Sequence, residues 1–339
     1  MAKEPIVLGY YPSWSRKNYP HSKIPWDCLT HIAHAFVWPS PDGDLEMPRD
    51  FLYPELVQTA HEKRLRIIVS VGGWGKDKGF GPMAANPAAR SRFVNQLTRF
   101  CKTHGYDGAD LDWEYPKEKD RSHFVQLVTE LRRSFRENKI PLLSAALPSR
   151  DWRGGYDIAA LKSTLDWFGI MTYDFAGSWT KTAGYNSPLF SPFPGGGSID
   201  DSVRFWLFAK EMPREKLCIG IPFYGRVFQS SGIGKPGTGG NMITYRGAEQ
   251  KRSEGWLYRW DETSKVGYLT DPRGKQLVTY EDERSIREKC NYLLENRLGG
   301  CIIWALGQDD TGTSQPLLQL VGGKIPRPPG AIKKPSVSP

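Results

Sequence analysis

The chain has 339 residues, of which 39% are hydrophobic and 24% charged, so its composition excludes an intrinsically disordered protein. Lys and Arg number 46 against 37 Asp and Glu, a net charge of +9, yet no basic run exceeds three residues and no nucleic-acid-binding signature is present. No stretch approaches the ~18 consecutive apolar residues of a membrane-spanning helix. The length predicts either two domains or one large α/β barrel.

One unit repeats along the chain: a short apolar run, a loop and then an amphipathic stretch. Nearly continuous apolar sequence is typical of strands covered on both faces. This pattern predicts eight buried strands: Ile6–Tyr11, Thr30–Val37, Leu65–Val71, Gly108–Trp113, Leu142–Leu147, Trp167–Tyr173, Leu217–Phe223 and Cys301–Leu306. Between them, apolar residues recur at helical spacing, most clearly in Phe93–Cys101, Phe124–Phe135 and Asp282–Arg297. Eight strand–helix units predict an α/β protein, a (β/α)8 TIM barrel.

Surplus sequence between the seventh and eighth strands predicts a small α+β insertion. It opens with a Gly-rich loop at 232–240 and carries the strand-like pieces WLYRW, VGYLT and LVTY. Trp256, Tyr258 and Trp260 in this region could line a cleft or only pack the insertion. The predicted division is a catalytic barrel at 1–226 and 290–323, an insertion domain at 227–289, and a Pro/Lys-rich tail at 324–339, disordered or a linker.

Cysteine and histidine usage indicates no metal site. The five cysteines are scattered and form no C-x-x-C pair, so they predict neither a disulfide framework nor a zinc site. The six histidines form no ligand pattern, and we predict no cofactor. The first 14 residues contain no apolar signal segment, so we expect a protein that is intracellular or that has lost a signal preceding residue 1.

The most informative segment is DGADLDWE, which ends at Glu114. Because side chains alternate along a strand, Asp110, Asp112 and Glu114 share one face, whereas Leu111 and Trp113 face the covering helices. The carboxyl groups then point into the barrel near the C-terminal end of the strand, where barrel enzymes keep their active sites. Like charges this close cannot all ionise, so we expect at least one raised carboxyl pKa.

Two plainer interpretations of this segment are a Ca²⁺ or Mg²⁺ site and a solvated acidic face. Calcium loops are flexible and punctuated by glycine rather than stranded, and the flanking apolar residues disfavour a solvated face. A carboxylic acid of raised pKa at the mouth of a pocket is typical of the proton donor in glycoside cleavage. The acidic residues all lie on one strand, which favours a nucleophile that belongs to the substrate.

These motifs resemble glycoside hydrolase family 18, the chitinase family, whose signature D-x-x-D-x-D-x-E is matched by Asp107, Asp110, Asp112 and Glu114. Further matches lie at the ends of other strands: SVGGW at 70–74, MTYD at 171–174, AGSW at 176–179, PFYGR at 222–226 and WALGQD at 304–309. The resemblance covers about residues 5–320, and the inserted segment resembles the insertion domain of bacterial-type chitinases.

The resemblance implies a chitinase that cleaves β-1,4 links between N-acetylglucosamine units with retention, the substrate's 2-acetamido group acting as nucleophile. Glu114 would be the acid, Asp112 would stabilise the acetamido group, Asp110 would share a proton with Asp112, and Tyr173 would hold the acetamido oxygen. Tyr10 and Ser70 would support the aspartate pair, and Trp304 would form the floor of the sugar site. The full set of implied substrate-binding residues is Tyr10, Phe36, Ser70, Trp74, Met171, Asp174, Trp179, Tyr224, Arg226 and Trp304.

The implied partners are chitin or chitooligosaccharides, without nucleic acid or membrane, and we expect a monomer. Two other functions stay open: a chitinase-like lectin that binds without cleaving, and an endo-N-acetylglucosaminidase that acts on glycoproteins. Lectins of this fold usually lack the acid, which this chain retains as Glu114. On residue type alone, Tyr173, Trp304, Trp74 and Trp179 could equally be packing residues.

Overall fold

The computed structural model describes residues 4–325. In this part of the chain the strands are β1 (Ile6–Pro12), β2 (His31–Pro39), β3 (Leu45–Glu46), β4 (Arg66–Gly72), β5 (Gly108–Asp112), β6 (Leu142–Pro148), β7 (Phe168–Met171), β8 (Leu217–Pro222), β9 (Tyr224–Gln229), β10 (Thr238–Thr244), β11 (Leu257–Asp261), β12 (Val266–Thr270), β13 (Gln276–Thr279) and β14 (Gly300–Trp304). The α-helices are α1 (Pro54–Glu62), α2 (Phe80–Ala85), α3 (Pro87–His104), α4 (Arg121–Glu137), α5 (Ile158–Leu161), α6 (Ile199–Arg204), α7 (Tyr245–Ser253), α8 (Glu283–Glu295) and α9 (Pro316–Lys324).

Eight of these strands form a closed parallel barrel, in the order β1-β14-β8-β7-β6-β5-β4-β2, and a pairing between β1 and β2 completes the ring. They are the eight strands that the apolar runs predict, so the predicted (β/α)8 architecture is confirmed. The short strand β3 adds to the outside of β2 in antiparallel orientation. Because all eight strands are parallel, their C-terminal ends meet at one rim.

Helix α3 has clear sequence signals at both of its ends. Asn86 caps its first turn by accepting hydrogen bonds from the backbone N–H groups of Ala88 and Ala89, and Pro87 occupies the first position, where no N–H is needed. Gly105 ends the helix with a left-handed backbone, φ 74°. The buried face of α3 includes Phe93, which packs in the layer between helices and barrel.

Two separate apolar regions stabilise the barrel. The larger lies between the strands and the surrounding helices. The smaller fills the barrel interior, where Tyr10, Phe36 and Trp167 are buried and Met171 and Trp304 pack against them. The interior is therefore filled with side chains, and a polar group placed there is unfavourable unless it finds a hydrogen-bond partner.

A second, antiparallel sheet is inserted between β8 and β14, in the order β10-β9-β13-β12-β11. Three of its strands, β11, β12 and β13, correspond to the aromatic pieces that the sequence marked as strand-like. Its first strand, β9, begins one residue after Phe223, which itself follows β8. The barrel strand β8 thus leads almost directly into the inserted sheet, and side chains of β9 lie close to the rim.

Two glycines after β4 allow close packing at the same rim. Gly72 has φ +117°, and a Cβ there would lie 2.1 Å from the carbonyl oxygen of Asp112. Gly73 has φ +85°, and a Cβ there would meet the ring of Phe36 at 2.6 Å. Only glycine fits both positions, so the chain passes directly beside the acidic strand.

The predicted tail begins inside the last helix, because α9 continues to Lys324 and Ile325 is buried. The remainder of that prediction, residues 326–339, lies outside the described residues. In the part of the chain that is described, no helix is long and apolar enough to cross a membrane. Within the described residues all five cysteines are buried, and none forms a disulfide.

Packing between helices and barrel predicts a large difference between two phenylalanine truncations. Phe135 on α4 is fully buried, whereas Phe208 is 70% exposed. We expect Phe135→Ala to lower the free energy of unfolding by about 3–5 kcal/mol, because a buried ring is replaced by a cavity. Phe208→Ala should change it little. Urea unfolding of both variants checks this, and equal losses would contradict the packing described here.

Candidate active site

The acidic segment lies at the C-terminal rim of the barrel. Asp110 and Asp112 on β5 are buried, and Glu114 follows the end of the strand. Trp113 points the other way, stacks on Phe80 with ring centroids 5.1 Å apart, and is buried beneath helix side chains. The alternation predicted from the sequence therefore places the carboxyl groups on the inner face.

Asp110 is held by three hydroxyl groups from three other barrel strands. Its Oδ2 accepts hydrogen bonds from Tyr10 on β1 at 2.7 Å and from Ser70 on β4 at 3.2 Å, and its Oδ1 accepts one from Ser144 on β6 at 2.6 Å. Burial raises the pKa of Asp110, and the three hydroxyl donors oppose that rise. Within residues 4–325 no hydrogen bond joins Asp110 to Asp112, so proton sharing between them stays a prediction.

Asp112 and Glu114 both resist ionisation. Burial raises the pKa of Asp112 well above its usual range, and the charges of Glu114 and Asp110 add to the effect. The Oδ1 atom of Asp112 is buried and has no hydrogen-bond partner in the described part of the chain. Burial is also the main reason why the pKa of Glu114 rises to about 7; a hydrogen bond with Tyr115 lowers it, and Asp174 raises it further. Glu114 can therefore carry a proton near neutral pH.

The signature also contains a residue that the structure places away from this cluster. Asp107 precedes β5 and accepts hydrogen bonds from Arg66 at 2.7 Å and from the backbone N–H of Ile67 at 2.9 Å. It also contacts the imidazole of His61. These partners hold the start of the strand, and Asp107 takes no part in the rim.

A second group lies beside the acidic strand, after β7. Asp174 accepts a hydrogen bond from the Tyr224 hydroxyl at 2.8 Å and forms an ion pair with Arg226. Tyr224 and Arg226 come from β9, so the inserted sheet contributes directly to the rim. Tyr173 lies edge-on to Tyr224 with centroids 6.0 Å apart, and burial raises the pKa of its hydroxyl well above the usual range. Tyr173 is therefore a neutral hydrogen-bond donor.

An aromatic floor closes the interior below the rim. Trp304 at the end of β14 stacks on Phe36, with ring centroids 5.5 Å apart and planes 14° apart, and contacts Tyr10 at 5.7 Å. Met171 at the end of β7 packs against the same interior cluster. The flat face formed by these rings suits the apolar face of a sugar ring.

Exposed tryptophans surround this floor. Trp74 is 82% exposed and Trp179 58% exposed, both at positions named from the sequence. Trp14 and Trp152 are also more than half exposed, and the sequence analysis missed them. Each follows the C-terminal end of a barrel strand, β1 and β6 respectively, a position that would have identified them. Trp14 contacts Trp304 at 6.3 Å, and Trp152 lies edge-on to Tyr115 at 5.1 Å.

The aromatics of β11 belong to the inserted sheet rather than to this ring of tryptophans. Trp256 and Tyr258 pack against the main apolar region, and Trp260 lies under Arg284 at 3.8 Å from the ring centroid. In residues 4–325 no group of three or more His, Cys, Asp or Glu side chains has the arrangement of a metal site. The described residues bring carboxyl, hydroxyl, aromatic and guanidinium groups to the rim.

The fold and the rim are those of a (β/α)8 barrel protein with protonatable carboxyl groups at the C-terminal ends of its strands, and comparison with known proteins identifies the family. The profile described as glycosyl hydrolases family 18 matches residues 6–309. The chain belongs to glycosyl hydrolase family 18.

Relatives and solved structures agree with this membership. A probable chitinase 2 of Drosophila melanogaster is 33% identical over 90% of this chain and 72% of its own length. A probable endochitinase of Caenorhabditis elegans is 29% identical over 93% of this chain, and the match spans only 59% of that relative's length. The solved structure of a Cycas revoluta family 18 chitinase with allosamidin is 27% identical, covers 94% of this chain and 99% of its own, and superposes with a TM-score of 0.87.

The raised pKa of Asp112 predicts that this carboxyl destabilises the fold at high pH. A carboxyl group whose pKa is higher in the folded than in the unfolded state lowers the free energy of unfolding as the pH rises from the unfolded pKa to the folded pKa. Below the unfolded pKa, which is about 4, the group has no such effect. We expect Asp112→Asn to raise the free energy of unfolding at pH 8, because the amide has no charged form for burial to disfavour. The gain should vanish near pH 4.

Denaturant unfolding at the two pH values measures this gain. The exposed Asp42 offers a surface control, Asp42→Asn, for which no pH-dependent gain is expected. A gain of equal size at both pH values would show that Asp112 is not held in its neutral form by its surroundings.

Proposed function

We propose that this protein hydrolyses β-1,4 links in chitin and chitooligosaccharides, with retention of configuration and with the substrate's acetamido group as nucleophile. The observation that carries the proposal is the acidic cluster at the end of β5: Glu114, with a pKa of about 7, stands beside Asp112, whose buried Oδ1 has no partner among residues 4–325. The solved Cycas revoluta chitinase bound to allosamidin, and the same enzyme bound to (GlcNAc)3, support the substrate class.

Glu114 is the general acid in this proposal. Its raised pKa keeps it protonated at slightly acidic pH, so it can give a proton to the oxygen of the leaving sugar. The acid form is lost as the pH rises through about 7. A non-catalytic lectin has no use for a carboxyl group held in this state, and that alternative is not favoured.

The acetamido group of the sugar replaces a second carboxylate across the scissile bond. Asp112 accepts a hydrogen bond from the acetamido N–H at its Oδ1 atom, which has no partner in the described residues. This contact stabilises the positive charge that develops on the acetamido group as its oxygen bonds to the anomeric carbon. Tyr173 donates its hydroxyl to the acetamido oxygen and holds it for attack. An internal nucleophile in this geometry reacts at a high effective concentration, so no protein nucleophile is required. Asp110, which accepts hydrogen bonds from three hydroxyl groups, fixes β5 beneath Asp112.

The remaining rim residues bind the polymer. Trp304 supports the sugar at the cleavage point; Phe36 stacks on Trp304, and Met171 packs against the same interior cluster. Trp74 and Trp179 are stacking surfaces for neighbouring sugars, and exposure makes Trp14 and Trp152 further candidates. Asp174, with Tyr224 and Arg226, contacts sugar hydroxyls beside the cleavage point.

The same proposal includes the domain division. The barrel comprises 1–226 and 290–323, and residues 227–289 form an insertion domain that raises one wall of the cleft. The five-stranded sheet supports an insertion at this place in the chain, but its strand β9 begins at Tyr224, before the boundary at 227, and α8 crosses the boundary at 289/290. The protein acts as a monomer on a neutral polymer, so its positive charge does not contribute to binding.

Loss of the acid should abolish turnover without loss of binding. We expect Glu114→Gln to reduce kcat on a chromogenic N,N′-diacetylchitobioside by at least ~10²-fold, because the leaving oxygen is no longer protonated. Binding of chitooligosaccharides, measured by calorimetry, should persist. Glu118→Gln is the matched control, since Glu118 is exposed and its nearest cation is Arg121 at 3.6 Å.

Each other outcome of this comparison has a defined meaning. Near wild-type turnover by Glu114→Gln would show that another group is the acid. A folded wild type that binds chitooligosaccharides without cleaving them would indicate the lectin, and cleavage of glycoprotein glycans alone would indicate the endo-N-acetylglucosaminidase.

Participation of the acetamido group fixes the stereochemistry of the product. Attack from within the substrate and subsequent attack by water each invert the anomeric carbon, so the net result is retention. Proton NMR at the earliest times should show the β anomer of the newly formed reducing end. An initial α anomer would exclude the acetamido mechanism.

A further inference from the structure

A buried pair of charged residues lies outside the residues assigned above. Lys289 on α8 is fully buried, and its ammonium group forms an ion pair with Glu281, which is 3% exposed. Taking both charges out of water is unfavourable unless the remaining hydrogen-bonding capacity is also used. The groups that satisfy this pair indicate what it does.

Glu281 is held by its own chain. It follows β13, and its Oε2 accepts a hydrogen bond from the Ser285 hydroxyl at 2.7 Å. Ser285 and Lys289 are four residues apart on α8 and therefore lie on one face of the helix, which both turn toward Glu281. Asp282 caps the same helix by accepting from the backbone N–H of Ser285 at 2.7 Å. The carboxylate is thus fixed relative to α8.

Lys289 reaches from this helix to the loop that follows β7. Its Nζ donates to the backbone carbonyl oxygen of Ser187 at 2.6 Å and lies 3.4 Å from the Ser187 hydroxyl. That hydroxyl in turn donates to the carbonyl oxygen of Thr172 at 2.6 Å. Lys289, Ser187 and Thr172 are all buried, so water does not compete for these bonds.

Asn186, adjacent to Ser187, holds the same segment from its other side. Its side-chain oxygen accepts from the backbone N–H of Asp174 at 3.3 Å, and its backbone carbonyl accepts from Phe175 at 3.1 Å. Its amide nitrogen donates to the carbonyl oxygen of Tyr224 at 3.1 Å. Asn186 and Ser187 therefore bracket the segment that presents Tyr173 and Asp174 to the rim.

The bracketed segment needs external support. Asp174 has a left-handed backbone, φ 60°, which is unfavourable for a residue other than glycine and persists only where neighbouring groups fix it. Its backbone N–H is bonded to Asn186, and its carboxylate to Tyr224 and Arg226. The position of Asn186 depends on the anchoring of Ser187 next to it.

We propose that Lys289, paired with Glu281, is a positioning residue: its ammonium group anchors Ser187 and thereby fixes Tyr173 and Asp174 against the acidic strand. This proposal rests on the proposed function where it concerns the acetamido group, which Tyr173 holds. The proposal gives α8 a role in the reaction, although none of the proposed substrate-binding residues lies on that helix.

A paired substitution separates positioning from stability. Lys289→Met leaves Glu281 buried without a counterion and should lower Tm strongly. Adding Glu281→Gln removes that charge and keeps an acceptor for Ser285, so the double variant should regain most of the lost Tm. It still lacks the bond to Ser187. We therefore expect its kcat to stay about tenfold or more below wild type with a smaller change in KM, since small displacements of a positioning group reduce the rate steeply.

The pH profile gives a readout that stability alone would not move. In the wild type, loss of the protonated acid sets the high-pH limb of kcat near pH 7. Asp174 contributes to this value by raising the pKa of Glu114, as does Asp77, whereas Tyr115 lowers it. Movement of Asp174 away from Glu114 lowers that pKa, so the high-pH limb of the double variant should shift to lower pH.

The opposite end of the barrel offers a matched control pair. Arg132 on α4 is buried, pairs with Asp166 at 2.6 Å, and also donates to backbone carbonyl oxygens, including that of Thr164 at 2.8 Å. Arg132→Met combined with Asp166→Asn should lower Tm without changing kcat, KM or the pH profile. A comparable loss of kcat in this control would attribute the effect at Lys289 to general destabilisation.

Amide hydrogen exchange tests the anchor without any assay of activity. In the double variant the amides of Asp174 and Phe175 should exchange faster than in the wild type, because Asn186 is no longer fixed. Unchanged exchange, or recovery of kcat together with Tm, would overturn the proposal. A wild type that fails to cleave chitooligosaccharides would refute the proposed function instead, and the exchange measurement would still decide whether Lys289 positions the segment.

Discussion

The burial of acidic side chains at the end of β5 is the constraint on which the rest of the rim depends. Asp110 and Asp112 are nearly inaccessible to solvent, and a carboxyl group in such surroundings must either be neutral or be supplied with donors. Three hydroxyls supply them to Asp110, whereas Asp112 has a buried oxygen without a partner. Glu114 is subject to the same constraint: mainly because it is itself buried, its pKa rises to about 7 and it keeps its proton to a higher pH.

The barrel and the inserted sheet both supply hydrogen-bond donors to the acidic side chains of the rim. Parallel strands bring Tyr10, Ser70 and Ser144 to one level around Asp110, because each lies on a strand that neighbours β5 or lies across the ring from it. The inserted sheet adds Tyr224 and Arg226 from β9, and these bind Asp174. The rim is therefore not a property of the barrel alone, since one of its walls is oriented by a strand of another sheet.

Much of this arrangement was predictable from local sequence. Continuous apolar runs gave all eight barrel strands, and simple alternation placed Asp110 and Asp112 inward and Trp113 outward. The contacts of Ser144 and of Lys289 were not predictable in this way, because each joins residues distant in the chain through the closed fold. The spacing of Glu281, Ser285 and Lys289 at successive helical intervals was the one local sign of the buried pair, and helical spacing alone does not show what an ammonium group will contact. Trp14 and Trp152 were missed although each follows a predicted strand, because local sequence does not show whether a tryptophan is exposed.

Glu114 must stay protonated near neutral pH, and this requirement limits which groups can hold the β5 strand and the segment after β7. A free ammonium or guanidinium group near Glu114 would favour its ionised form and lower its pKa. Asp110 is accordingly held by uncharged hydroxyls, and the two cations that support the β7 segment each have a carboxylate partner: Arg226 has Asp174, and Lys289 has Glu281. Each pair supplies directional hydrogen bonds while adding no net charge. The chain can thus fix the backbone around Tyr173 firmly and still leave an acid with a pKa of about 7 at the end of β5.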